Sequence, residues 1–153
     1  MHPRHAGVVR PRPPRKGATV SAAGSIRRPW VYIASPYTQG DQAINTRFQL
    51  RMWDALLDIG VVPIAPLWSH FQHLHNPRPY RDWVEYDNEL IGRCDVCLRL
   101  AATDEQTGYR QQASDGADAE VRLFQRLGKP VFTSFADLMA WLDTLTETTD
   151  AVR

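Results

Sequence analysis

From Trp30 onward, short β-branched and aromatic runs alternate with stretches whose apolar residues recur every three or four positions, and this alternation constrains the fold more than any other feature. Trp30-Val-Tyr-Ile-Ala-Ser35, halted by Pro36, reads as a strand. Phe48, Met52, Ala55, Leu56 and Ile59 form one face of a helix predicted over 42–59 and stopped by Gly60. A second strand is predicted over 61–65, where Pro63 marks an edge or an irregularity because proline cannot donate to a ladder. A helix over 81–93, a strand over 95–100, a helix over 115–127, a strand over 130–133 and a helix over 135–145 follow. Residues 66–79 and 101–113 read as loops. This order predicts right-handed βαβ units, an α/β sandwich around a mostly parallel sheet of about four to five strands. In such sheets ligands bind beyond the carboxyl ends of the strands, so a site is expected among residues 35–41, 66–79 and 101–120.

The 153 residues suffice for one ordinary domain, and 43% hydrophobic against 23% charged residues excludes wholesale disorder. No apolar run approaches the roughly 20 residues that span a bilayer, and two cysteines cannot build a disulfide scaffold. Charge is unevenly spread. Residues 1–28 hold seven of the 18 basic residues, four prolines and no acid, which leaves 11 basic against 17 acidic residues beyond them. Such a segment has no apolar surface to bury and carries no signal-peptide core, so the reading is a flexible arm over 1–28, a domain over 29–147 and a short tail over 148–153. The expected setting is cytoplasmic, with no membrane partner. Binding of nucleic acid through the arm is the sharper alternative to a plain extension, and it ranks behind it.

Two carboxylates break the pattern. On the predicted helix 81–93, Trp83, Leu90, Ile91 and Cys94 form an apolar stripe, and Asp87 lies on it, four residues after Trp83. A carboxylate there is costly unless it meets a donor or a cavity; alone it reads first as a solvent-edge residue or one paired with an arginine. Glu120 borders the apolar face of the next helix, one turn in, where Ser114 is a natural N-cap and Gly116 allows close backbone approach. Acids are common in first turns for helix stability alone. Together, two carboxyls at one sheet edge can divide into nucleophile and acid, as glycosidic cleavage requires.

Val31-Tyr-Ile-Ala-Ser-Pro-Tyr37, Asp87 with Cys94-Asp95, Ser114-Asp-Gly-Ala-Asp-Ala-Glu120 and Gly128-Lys-Pro-Val131 together resemble the nucleoside 2-deoxyribosyltransferase superfamily, which includes 2′-deoxynucleoside 5′-phosphate N-hydrolases. The resemblance implies a three-layer flavodoxin- or Rossmann-like sandwich, attack on the N-glycosidic bond of a nucleoside or nucleotide, no cofactor and a homo-oligomer. It implies that Glu120 is the nucleophile, that Asp87 handles the base and its proton, and that Tyr32, at the end of the first strand, positions Glu120. It also bears on Ser114: transferases of this kind tend to carry an acid there, whereas phosphate-preferring hydrolases carry serine. Asp115 and Asp118 oppose that reading by charge, and Asp118 stands where a second glycine is frequent. The leading expectation is hydrolysis of a nucleoside 5′-monophosphate; base exchange and a non-catalytic nucleotide sensor are the alternatives.

Weaker signals complete the list. The hydroxyls of Ser35, Tyr37 and Thr38 suit contacts to sugar or phosphate, and the segment has no lysine or repeated glycine that would make it a Walker loop. Trp68 is a candidate to stack on a base, His70 or His73 to line the pocket, and Arg78 or Arg81 to meet a phosphate. His70, His73 and His75 lack an acid or cysteine at ligand spacing, so no metal is expected. Cys94-x-x-Cys97 lies at a helix–strand join, where buried thiols are the ordinary outcome.

Overall fold

A computed structural model describes residues 27–100, 103–104, 109–110 and 114–150. Strand β1 (Trp30–Ala34) leads through the Ser35–Asp41 turn to helix α1 (Gln42–Asp58), whose start is capped by Asp41 accepting from the Ala43 and Ile44 N–H groups at 2.8 and 3.0 Å. Gly60, at φ +88°, turns the chain into β2 (Val62–Ile64). A 3₁₀ turn (Pro66–Trp68) and a short helix α2 (Ser69–His75) precede α3 (Tyr80–Arg93) and β3 (Val96–Arg99). A small antiparallel pair, β4 (Thr103–Asp104) with β5 (Tyr109–Arg110), comes before α4 (Asp115–Arg126), β6 (Val131–Phe132) and α5 (Phe135–Asp150).

Four strands form one all-parallel sheet in the order β2-β1-β3-β6. Pro63 therefore sits on an edge strand, where its missing donor costs least. The chain progresses one way from β1 to β2 and the other way from β3 to β6, so a crevice opens between the carboxyl ends of β1 and β3.

Alternation along β1 builds two cores. Val31 and Ile33, with Val96 and Leu98 of β3, face Leu56 of α1 and Leu138 of α5. Tyr32, Ala34 and Cys97 face Ile91 of α3 and Ala117 and Phe124 of α4. The fold is thus a three-layer α/β sandwich with α1 and α5 on one side and α3 and α4 on the other, as the alternation predicts.

Three local expectations change. The stretch 66–79 is not simply a loop: its first ten residues wind into the 3₁₀ turn and α2. The stretch 101–113 contains β4 and β5, and its other residues lie outside the described ones. Tyr32 lies in the middle of β1 rather than at its end. Of the basic arm, only Arg27 and Arg28 are described, and Arg27 pairs with Asp95, which also accepts from the Trp30 N–H at 2.7 Å.

Candidate functional site

A cleft of about 490 Å³ opens at the crevice between β1 and β3, walled by the turn after β1, by α2, by α3 and by the first turns of α4. Its size falls within the roughly 300–1,000 Å³ typical of small-molecule sites. Asp87 and Glu120 both line it, one from α3 and one from α4.

Glu120 is held from beneath. Tyr32, fully buried in β1, donates its hydroxyl hydrogen to Glu120 Oε1 at 2.9 Å, and its ring packs at 5.6 Å from that of Phe124. Burial pushes the Glu120 carboxyl up to about 8; the Tyr32 hydrogen bond lowers it, the Asp87 charge raises it and Arg99 lowers it. Tyr32 itself is pushed well above the ordinary phenol range, first by burial and then by the charges of Glu120 and Asp87. It therefore stays a hydroxyl donor.

Asp87 is half-buried and follows Trp83 by one helical turn on the cleft-facing side of α3. Its Oδ1 is buried without a hydrogen-bond partner among the described residues, and no arginine pairs with it there. Burial raises its carboxyl to about 7. An unsatisfied buried carboxyl oxygen is a cost the fold alone does not require, and a bound group that donates to it would remove that cost.

The start of α4 forms another wall. Ser114 caps the helix by accepting from the Ala117 N–H at 3.3 Å, which leaves its hydroxyl hydrogen free for an acceptor in the cleft. Gly116 also lines the cleft. A methyl placed there would meet the Tyr80 hydroxyl at an ordinary 3.4 Å, so the close approach expected at this glycine is not made by the protein's own backbone. Asp118 does not face the cleft as an isolated charge: Arg99, with a side chain only 13% exposed, donates to its Oδ1 at 3.1 and 3.2 Å. The objection to a phosphate raised by its charge loses much of its force.

Ser35, Tyr37, Thr38 and His70 join the same cleft. Gln49 holds Ser35 by donating to its Oγ at 2.9 Å, and the Tyr37 hydroxyl meets His70 Nδ1 at 2.6 Å. Trp68 does not join them. It lies 63% exposed, stacked 6.5 Å from Trp53 in a separate groove of about 880 Å³. The cause is helical pitch, since His70 lies two positions after Trp68, roughly 200° of rotation. Trp68, at the N-cap of α2, and Phe71 therefore share one side, His70 and His73 the other.

Arg78, Tyr80, Asn88 and Arg126 also line the cleft, as does His73, which is bound to Trp83. Of these, Tyr80, Asn88 and Arg126 carried no sequence signal. The i, i+3 recurrence of Trp68 with Phe71 and of His70 with His73 was the readable sign that this stretch is helical. No group of three or more His, Cys, Asp or Glu side chains among the described residues is gathered to hold a metal ion. Cys94 and Cys97 are buried free thiols, both raised to about 12 chiefly by burial. No described helix is long and apolar enough to cross a membrane.

No protein-family model matches the chain, and no curated protein sequence matches it at a significant level.

Proposed function

We propose that the protein is an N-glycosidase of the nucleoside 2-deoxyribosyltransferase-like kind, hydrolysing the base–sugar bond of a nucleoside 5′-monophosphate. The observation that carries this reading is the Tyr32 hydroxyl bound to Glu120 at 2.9 Å in a cleft that also holds the unpartnered Asp87. With carboxyls raised to about 7 and about 8, the pair retains a proton near neutrality, so one member can act as acid while the other is ionised. The resemblance gives Glu120 as nucleophile and Asp87 as acid. Burial leaves the proton more tightly on Glu120 in the free protein, so this division requires the proton to move to Asp87 as substrate binds. The Tyr32 hydrogen bond and Arg99 assist that shift by favouring ionised Glu120.

In the first step a Glu120 carboxylate oxygen bonds to the anomeric carbon as the base departs with the bonding pair and takes the Asp87 proton. In the second, water attacks the same carbon, its proton passes to the Asp87 carboxylate and the Glu120 carboxylate is released. The products are free base and sugar phosphate. The Ser114 hydroxyl and the free N–H groups at the start of α4 suit the 5′-phosphate, with Arg78 and Arg126 as the cations of the wall. A homo-oligomer belongs to the same reading, and sedimentation of the full chain tests it.

The deciding experiment measures free base released from ribo- and deoxyribonucleoside monophosphates by wild type and Glu120→Ala. Release that vanishes in the variant supports the glycosidase. A new nucleoside formed when a second base is added makes the enzyme a transferase. Ligand binding without release in either protein replaces it with a sensor.

A further inference from the structure

We propose that His73 is a specificity-determining residue of the cleft, locked by Trp83 into the tautomer with its proton on Nε2 and selecting a nucleobase that presents a hydrogen-bond acceptor to it. This rests on the N-glycosidase reading and extends it to the edge of the base that is read.

Two donors converge on one ring atom. The Trp83 indole N–H donates to His73 Nδ1 at 3.1 Å, and the Arg78 backbone N–H points at the same atom at 3.4 Å. An indole nitrogen and an amide nitrogen can only donate, so Nδ1 must be the unprotonated nitrogen, and the neutral ring carries its hydrogen on Nε2. The rings meet edge to face at 6.0 Å and 64°, which fixes the plane of the imidazole as well as its tautomer. His70 differs, because its partner is the Tyr37 hydroxyl, which can donate or accept and leaves that tautomer open.

His73, Trp83 and Asp87 all line the cleft, and Trp83 and Asp87 are one turn apart on α3. The group that orients His73 is therefore neighbour to the carboxyl assigned to the departing base. A fixed N–H donor rewards a carbonyl oxygen or an unprotonated ring nitrogen, and it meets an exocyclic amino group donor to donor. His73 is part-buried, and a bound base that excludes water from it would leave a mismatched donor unpaired, which is what disfavours the amino partner.

The test compares kcat/KM for uridine against cytidine monophosphate and for inosine against adenosine monophosphate. Each pair differs by a carbonyl in place of an amino group. Wild type is expected to favour the carbonyl member of one pair by about ten- to a hundredfold. Trp83→Phe keeps an aromatic ring, removes the shorter of the two donors to Nδ1 and should cut that ratio at least several-fold; His73→Leu should abolish it, and His73→Gln, whose amide N–H reaches the Nε2 position, should restore part of it. Long-range proton–nitrogen correlation of the imidazoles should show one Nε2-protonated form for His73 in wild type and a mixture in Trp83→Phe. An Nδ1-protonated His73, a preference for the amino bases, or a ratio unchanged in Trp83→Phe and His73→Leu overturns the inference while leaving the glycosidase standing. A folded wild type that releases no base from any substrate removes the glycosidase and this inference with it.

Discussion

The two faces of the sheet are made by alternate residues of the same strands and have opposite characters. Towards α1 and α5, β1 and β3 present Val31, Ile33, Val96 and Leu98 against Leu56 and Leu138, a dry core of branched side chains. Gln49, the largest polar side chain buried on that side, is fully satisfied. The Gln49 amide donates to the Ile33 carbonyl at 2.8 Å and to Ser35 Oγ at 2.9 Å, and its oxygen accepts from the Leu67 N–H at 2.9 Å. Towards α3 and α4 the same strands present Tyr32, Ala34 and Cys97 to a second core with Ile91, Ala117 and Phe124, and there a hydroxyl turns to a carboxylate at the edge of the cleft. Apart from Thr46 Oγ1 on α1, Asp87 Oδ1 is the only unpartnered buried side-chain nitrogen or oxygen among the described residues. One face stabilises the domain; the other holds groups that the fold would be more stable without.

Glu120→Gln breaks this contrast most directly. It should lower base release by about a thousandfold or more, while urea denaturation shows a fold at least as stable as wild type, because a neutral amide replaces a carboxyl that burial disfavours when charged. A variant that loses activity by unfolding would contradict the division of labour. On the dry face, Leu56→Ala should cost about 2–5 kcal/mol in the same denaturation experiment and leave turnover per folded molecule within a few-fold of wild type.

The pH dependence sharpens the comparison. Asp87 is raised from 3.8 to about 7 and Glu120 from 4.5 to about 8, so the folded state holds their protons more tightly than the unfolded chain. Stability from this source is complete below the unfolded values and is lost as pH rises through the folded ones. Denaturation midpoints measured across that window should fall in wild type and flatten in the Asp87→Asn, Glu120→Gln double variant. A wild-type midpoint that rises across the window would invert the sign and remove the buried-carboxyl account.

Tyr32→Phe is the finest probe. It keeps the ring against Phe124 and deletes only the bond to Glu120, so stability should change by no more than about 1 kcal/mol. Base release should fall by about ten- to a hundredfold, with the Glu120 limb of the pH–rate profile moved upward, since a group that lowers its pKa has gone. An unmoved profile would make Tyr32 a packing residue.

Most of the fold was legible because its signals are local. Periods of two and of three to four residues separate strands from helices without reference to anything distant, and Pro63 announced an edge. Helix α2 escaped because it is only seven residues long and is set among prolines and histidines. The side that Trp68 faces was hidden for the same reason: whether a residue faces one groove or the other turns on a pitch that a loop does not have.

The site divides in the same way. The sequence by itself determined the order of strands and helices, the placement of two carboxylates near one sheet edge and the serine cap of α4, since each depends on local spacing along the chain. Only the tertiary structure decided that Tyr32, 88 residues from Glu120, reaches it from the middle of a strand, that Asp87 Oδ1 is left without a partner among the described residues, that Arg99 occupies Asp118, and that the Trp83 indole N–H meets His73 Nδ1. Those contacts join elements that are distant in sequence, and the direction of a hydrogen bond is fixed only once packing has chosen which atoms meet.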